Sequence, residues 1–344
     1  MIKVNERIVS ACASGKLILS GEHAVHHGCP ALATAIDMFT TVTISATQDH
    51  NAQFKLVDLN QHWVTDLAEL NRLKNNIDER YAKFAANALR LDGVLEHPRE
   101  LVGYAFIHLI NSWDLNLEQG VEIVVNSSLP VGCGMGSSAA LIISLIHAAV
   151  NYFAIPLSST EYLSVGRAIE KLQHGRSSGL DLYVALHGGY HFFFNGASHR
   201  RPMFNLPFVG INTGGPRYTN SECLAKAAEF LRNKNILAEF TKVTHDMDDA
   251  IKIGDVAGFK ETLRKNHRLL CDLGVVPPRV MEFIRAIEEL GGGAKISGTG
   301  SVSGNGGVVL AVADDLDIIA LVKEYGYKIL PLKTYEQGAT CVYS

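Results

Sequence analysis

A glycine-rich stretch in the first half of the chain reads Pro130-Val131-Gly132-Cys133-Gly134-Met135-Gly136-Ser137-Ser138-Ala139-Ala140. Its glycines stand at every second position, where each permits a positive φ and removes a side chain that would keep a ligand off the backbone. A β-branched run, Val121 to Val125, precedes the stretch, and a helix start, Ala139 to Ile146, follows it. The unpaired N–H groups of a first helical turn attract anions, so this order of strand, loop and helix predicts a phosphate-binding loop.

Two common phosphate-binding fingerprints do not fit this loop. A P-loop requires a lysine directly before Ser/Thr, whereas Gly136 precedes Ser137 here. A dinucleotide-binding turn requires a third glycine where Ser137 stands. The alternative without a ligand is a glycine turn in which Ser137 caps the helix.

The composition of the whole chain limits the class of protein. The 344 residues, 47% hydrophobic and 19% charged, predict a soluble globular protein with two domains. A formal net charge of -4, without a cluster of basic residues and aromatics, argues against nucleic acid as a partner. The longest apolar run is shorter than the roughly 20 residues of a membrane span. The N-terminus does not resemble a signal peptide, and the scattered cysteines fit reduced thiols, so we expect a cytoplasmic protein without membrane partners.

The secondary-structure pattern changes near the middle of the chain. In the first half, Ile8–Cys12 and Leu17–Leu19 are predicted strands on either side of a turn at 13–16. The second half, from 222 to 290, is predicted to be mostly helical. We therefore predict one domain over 1–190 and a second over 191–344.

Two carboxylates stand close to polar, glycine-containing turns. Glu170 lies on an amphipathic helix that begins with a capping box, Ser158 to Glu161. Asp181 follows the polar loop 174–180. For Glu170 the alternative is a solvated surface side chain, and for Asp181 it is a helix cap.

A second glycine-rich segment runs from Ala294 to Gly307, between a helix and the predicted strand Val308–Val312. Its flanking elements suggest a fixed loop close to the first glycine loop. A third polar turn, Ser20 to Gly28, contains three histidines. Structural zinc is a minor alternative there, because Glu22 alone is near to complete a ligand set.

Three motifs in order resemble the GHMP kinase superfamily of small-molecule ATP-dependent kinases over nearly the whole chain. They are Ala13–Lys16 running into Gly21-Glu22-His23, the loop 130–140, and the segment 295–307. Within the superfamily, the turn 21–28 and the loop 174–181 are most similar to mevalonate kinases. The resemblance implies an α+β fold with an N-terminal mixed α/β domain and a helix-rich, ferredoxin-like C-terminal domain. The active site would lie between the two domains.

The resemblance also implies roles for individual residues. Asp181 would be the catalytic base and Lys16 would stabilise it and the charge on the γ-phosphate, while Ser138 and Glu170 would ligate Mg²⁺. Glu22, His23, Asp181 and Thr219 would contact the acceptor substrate. The residues expected to hold ATP are Pro130, Gly132, Gly134, Met135, Gly136, Ser137, Ser138, Ala139, Gly298 and Gly300.

The expected reaction is transfer of a phosphoryl group from ATP to the 5-hydroxyl of mevalonate. Departures from the family pattern include Ser177, where a proline is usual, and the interruption of the third glycine run by Ser301-Val302-Ser303. If these three residues are an ordered elaboration of the loop, we expect them to project into solvent, and the alternative is that they shape the site. The alternatives are phosphomevalonate, sugar or homoserine kinase activity, or a GHMP-fold sensor without turnover, and a homodimer stays open.

Overall fold

The computed structural model describes residues 7–202, 207–215, 220–313 and 315–343. Within these ranges the strands form two sheets, one of eight strands and one of four. Helices pack against both sheets, which gives the α+β architecture of two parts that the sequence predicts.

The N-terminal part contains both strands and helices, grouped in short runs along the chain. In chain order its elements are β1 (Val9–Ser20), β2 (Ala31–Ala46), β3 (Ala52–Leu56), β4 (Gln61–Thr65), α1 (Leu67–Ala85), α2 (Pro98–Ser112), β5 (Val121–Ser127), α3 (Ser137–Tyr152), α4 (Ser159–His174), α5 (Leu180–His187), β6 (Tyr190–Phe194) and β7 (Ala197–Arg201). A short 3₁₀ turn, Ala24–His27, lies between β1 and β2.

The C-terminal part contains the smaller sheet and the later helices, and its last strand pairs with the first strand of the chain in the larger sheet. Its elements are β8 (Val209–Asn212), α6 (Asn220–Phe230), α7 (Lys234–Ile253), α8 (Val256–Asp272), α9 (Pro278–Glu289), β9 (Gly293–Ser297), β10 (Val308–Val312), α10 (Asp315–Tyr325), β11 (Lys328–Leu330) and β12 (Thr340–Tyr343). The strand order β11-β8-β10-β9 is antiparallel throughout.

Strand β2 organises the larger sheet because it is long enough to pair with three neighbours. It pairs with β1 along most of its length, with β5 over 40–46 and with β6 over 31–34. The sheet order is β12-β1-β2-β5-β3-β4, and β6 pairs with β2 while β7 pairs with β6. The sheet therefore includes strands on both sides of residue 190, and the division of the chain at 190 stays a prediction.

The predicted turn at 13–16 is wrong, because β1 continues through it. The register of β1 against β2 shifts between Ser14 and Gly15 instead of breaking. A Cβ on Gly15 would lie 2.4 Å from Leu129 Cδ2 and 2.9 Å from the Met135 carbonyl oxygen. Gly15 therefore does not form a turn. Its missing side chain allows the glycine loop to pack closely against β1.

Helix α3 is the central helix of the N-terminal part. Its sequence is apolar almost all round, as expected for a helix buried on several sides. It packs against β1, β2, α4 and α5. This burial fixes the direction of the α3 N-terminus, where the glycine loop ends.

The two parts share a buried apolar cluster that includes Leu17 and Leu19 of β1, Met135 of the glycine loop, and Phe259 and Leu310 of the C-terminal part. Arg201 at the end of β7 also donates two hydrogen bonds to Asp248 of α7, at 2.8 and 2.9 Å. In the described ranges, no helix is long and apolar enough to cross a membrane.

Candidate active site

The glycine loop presents an open helix N-terminus to a cleft between the two parts. Gly132, Gly134 and Gly136 have φ values of 73, 80 and 73°, in the left-handed region that favours glycine. Gly136 is the N-cap of α3, and no side chain caps the helix there. The capping alternative for Ser137 is therefore wrong, and the first N–H groups of α3 remain suited to an anion.

The second glycine segment contacts the first loop, as predicted. A Cβ on Gly134 would lie 2.4 Å from the Ser297 carbonyl oxygen, and one on Gly298 would lie 2.8 Å from Gly134 Cα. The Val308 N–H donates to the Cys133 carbonyl at 3.1 Å. Gly300 faces elsewhere, since its Cβ would lie 2.2 Å from the Val275 carbonyl oxygen. Only Gly298 of this predicted pair lines the cleft.

The candidate catalytic residues, Lys16 and Asp181, form an ion pair with Nζ and Oδ2 3.1 Å apart. Lys16 comes from β1 and also donates to the Gly134 carbonyl at 3.1 Å. Asp181 lies in the first turn of α5, after Gly179, whose φ is 81°. The Lys16 side chain is 4% exposed and that of Asp181 is 25% exposed. The carboxylate therefore faces the cleft while the lysine forms part of its wall.

The candidate metal ligands Ser138 and Glu170 line the same cleft. Glu170 is buried, which raises its pKa to about 8, and the negative charge of Asp181 adds to the increase. Ser177, in place of the usual proline, donates a hydrogen bond to Glu170. The Ser138 hydroxyl lies 3.2 Å from His174 Nε2. A hydroxyl and a carboxylate are the oxygen ligands that Mg²⁺ prefers, and the carboxylate would be stabilised by a cation, so this pair fits the metal.

No group of three or more His, Cys, Asp or Glu side chains in the described ranges is arranged to hold a metal ion. A site at Ser138 and Glu170 would therefore take its remaining ligands from phosphate oxygens and water, as is usual for Mg²⁺.

The candidate acceptor residues Glu22 and His23 lie just after the end of β1. His23 has a φ of 59° and its Nε2–H donates to the Thr299 carbonyl at 3.0 Å. Burial lowers the pKa of His23 to about 4. Glu22 forms a buried ion pair with Lys295, a residue that the sequence did not single out. Thr219, the remaining predicted acceptor residue, lies outside the described residues.

The cleft itself is small, with a volume of about 130 Å³. It opens beside a larger, mostly apolar pocket of about 520 Å³ that the sequence analysis did not predict. The two share Gly132, Ser137 and Ser138 of the glycine loop. The apolar wall of the larger pocket comes from side chains that include Leu56, Leu59, Leu91, Leu95, Leu101 and Leu141.

The three residues that interrupt the second glycine segment do not project into solvent, so that prediction is wrong. Ser301 is fully buried, and its N–H donates to the Val275 carbonyl at 2.9 Å. Its hydroxyl donates to the Ser303 carbonyl at 2.7 Å, and Val302 packs on the C-terminal core. These residues anchor the loop that carries Gly298 and Thr299.

Deleting residues 301–303 is therefore expected to lower the thermal unfolding midpoint by about 5 °C or more, because buried packing and hydrogen bonds are lost. Circular dichroism during heating measures this change. Ser303→Ala is the control, since it keeps the loop length and the carbonyl that Ser301 bonds, and its midpoint should stay near that of the wild type. An unchanged midpoint after the deletion would mean that the buried contacts of Ser301 contribute little.

Two family models match this chain. They are GHMP kinases N terminal domain over residues 100–189 and GHMP kinases C terminal over residues 247–328. Together with the cleft between the two parts, these matches define the class, an ATP-dependent small-molecule kinase of the GHMP type. The predicted class and fold are confirmed.

Curated relatives identify the branch. The chain is 31% identical over 315 residues to the mevalonate kinase of Pyrococcus furiosus, covering 89% of each, and 30% identical over 321 residues to that of Thermococcus sibiricus. The chain belongs to the mevalonate kinase family. Its structure superposes with a TM-score of 0.76 on a crystal structure of mevalonate kinase, at 25% identity and with 96% of this chain and 99% of the other covered. The Methanococcus jannaschii enzyme, at 24% identity and the same TM-score, shares the fold.

Proposed function

We propose that this protein transfers the γ-phosphoryl group of ATP to the 5-hydroxyl of mevalonate, giving 5-phosphomevalonate and ADP. The observation that carries the proposal is the ion pair between Lys16 and Asp181, which lines the same cleft as the open N-terminus of α3. Phosphoryl transfer requires mainly positioning and charge stabilisation, and these are what a helix N-terminus, a lysine and a carboxylate supply.

Each of these groups takes one part of the reaction. The N–H groups at the α3 N-terminus hold the β- and γ-phosphates. Asp181 orients the acceptor hydroxyl and receives its proton as the new O–P bond forms. Lys16 stabilises the Asp181 carboxylate and the negative charge on the transferred group. Ser138 and Glu170 would hold Mg²⁺, which neutralises charge on the phosphate oxygens when bound.

The apolar pocket is the proposed site of the nucleoside of ATP. It adjoins the glycine loop through Gly132 and Ser137. A nucleotide whose phosphates lie at the loop would therefore extend its nucleoside directly into this pocket. Its volume of about 520 Å³ and its leucine-rich wall suit a flat, largely apolar base. The glycine loop, which borders both, would connect the nucleoside site to the cleft.

The test of the proposed function is the rate of ADP release with four acceptors, each measured over the same range of concentrations. Mevalonate is expected to give the highest kcat/KM, above phosphomevalonate, galactose and homoserine. A higher kcat/KM with any of the other three would assign the protein to another kinase activity. ADP release that does not respond to any acceptor would favour the sensor alternative.

Ser138→Ala and Glu170→Gln are each expected to raise the Mg²⁺ concentration needed for half-maximal activity by about 10-fold or more, because each removes an oxygen ligand or its charge. A Mg²⁺ titration at saturating ATP measures the change. Glu161→Gln, on the same helix but in the solvent-facing capping box, is the control. Unchanged metal dependence in both variants would place the metal elsewhere.

A further inference from the structure

Lys295 is completely buried in the centre of strand β9, between the buried residues Ala294 and Ile296. A lysine removed from water requires partners for its ammonium group. It has two, the Glu22 carboxylate through Oε1 and the Ile18 carbonyl oxygen at 3.0 Å. Both partners belong to the N-terminal part, so this lysine reaches across the interface between the two parts.

Stability alone does not explain this ion pair. Burial raises the pKa of Glu22 and lowers the pKa of Lys295, which means that both charged forms lose hydration. Buried ion pairs are often no more stabilising than apolar side chains of similar volume. The location of the pair is more informative, because Glu22 lines the same cleft as Lys16 and Asp181.

The second carboxylate oxygen of Glu22 points to a ligand. Oε2 has no hydrogen-bond partner among the described residues, and Glu22 is buried, with 1% of its surface exposed, so water does not take the place of a partner. Buried polar atoms almost always have a partner, so an acceptor without one at the wall of a cleft is an atom to which a ligand can donate. Oε1 is already engaged by Lys295, which leaves Oε2 for that contact.

The strand that carries Lys295 also fixes the chain just before Glu22. Ser297 lies on the same face of β9 as Lys295, two residues further along. The Ser297 hydroxyl accepts from the Ile18 N–H at 2.9 Å and donates to the Ile18 carbonyl at 3.1 Å. Two side chains of the C-terminal sheet therefore set the position of Glu22 in the cleft.

We propose that Lys295 is a positioning residue, which engages one oxygen of Glu22 so that the other accepts a hydrogen bond from the acceptor's second hydroxyl, the one that is not phosphorylated. This inference rests on the proposed function. Mevalonate carries two hydroxyl groups and a carboxylate. The 5-hydroxyl is directed to Asp181, and the substrate carboxylate would be repelled by Glu22, so the 3-hydroxyl is the donor that remains.

The test compares mevalonate with its analogue that lacks the 3-hydroxyl group. The wild type is expected to prefer mevalonate in kcat/KM by about 10-fold to 100-fold, since the analogue leaves a buried charged acceptor unpaired. In Lys295→Met and in Glu22→Gln/Lys295→Met, this preference is expected to fall to within about 3-fold of unity. A purely structural role would lower kcat/KM for both acceptors equally and leave their ratio unchanged.

The double variant keeps the test informative if Lys295→Met does not fold, because it removes both buried charges together. Circular dichroism confirms its fold. The matched control is Asp78→Asn/Lys74→Met, which removes an ion pair of 2.6 Å between α1 side chains that do not line the cleft. Its preference for mevalonate should equal that of the wild type.

Two results would overturn the inference while the proposed function stands. One is wild-type turnover of mevalonate without preference over the analogue, and the other is a folded double variant that keeps the full preference. A wild type that does not phosphorylate mevalonate at all would contradict the proposed function and this inference together.

Discussion

Asp181→Asn is expected to lower kcat by about 100-fold or more while ATP binding and the fold are retained. An amide can neither accept the proton of the acceptor hydroxyl nor form the ion pair with Lys16 that the structure shows at 3.1 Å. Because Asp181 lies in the first turn of α5 and its side chain is partly exposed, its replacement removes little packing. Steady-state ADP release measures kcat, and fluorescence titration with an ATP analogue measures binding.

The control for this variant is Asp246→Asn. Asp246 also pairs with a lysine, Lys242 at 3.2 Å, but on the solvent side of α7. Its kcat should equal that of the wild type, which separates loss of a carboxylate in the cleft from loss of an ion pair in general. A kcat near the wild-type value for Asp181→Asn would exclude Asp181 as the base.

Lys16→Met is expected to lower kcat by about 100-fold to 1,000-fold, the range for removing one preorganised group that stabilises transition-state charge. The methionine fills similar space beside Gly136, where a Cβ would lie 2.8 Å from Lys16 Cγ, so the loop should keep its shape. The KM for ATP should change much less than kcat, because the α3 N-terminus still holds the phosphates.

Lys242→Met, which removes the lysine of the solvent-exposed pair on α7, is the control for Lys16→Met. If the KM for ATP rose by the same factor by which kcat fell, Lys16 would contribute to ground-state binding of ATP as much as to the transition state. Equal kcat values for Lys16→Met and the wild type would remove Lys16 from the proposed mechanism.

Local patterns in the sequence predicted the elements whose conformation depends on neighbouring residues. The alternation of glycines in 130–136 predicted the left-handed backbone of the loop, and the apolar run after Ser138 predicted α3. The capping box of Ser158 and Glu161 likewise predicted the start of α4. These features depend on local steric and hydrogen-bonding rules, which a sequence contains directly.

Features that depend on contacts between distant segments were predicted poorly. Gly15 suggested a turn, but its lack of a side chain serves the approach of Leu129 and Met135, more than a hundred residues away in sequence. Ser301 suggested a solvent-exposed insertion, but its bond to Val275 anchors it in the core. The residues around the apolar pocket come from several strands and helices, so they share no motif.

The site combines both kinds of information. Lys16 and Asp181 are far apart in the chain, and only the resemblance to a known family suggested that they meet, which they do in the structure. Lys295 was overlooked because the sequence does not show whether a lysine in an apolar strand is exposed or buried. The ion pair with Glu22 becomes visible only in the structure.

The most direct test of the proposed function is ³¹P NMR of the product formed from ATP, Mg²⁺ and mevalonate by the wild-type protein. We predict one new phosphomonoester signal, split into a triplet by the two protons of the C5 methylene group, growing in step with ADP. A signal without that splitting would place the phosphate on another oxygen, and inorganic phosphate alone would mean hydrolysis of ATP. Either result would contradict transfer to the 5-hydroxyl of mevalonate.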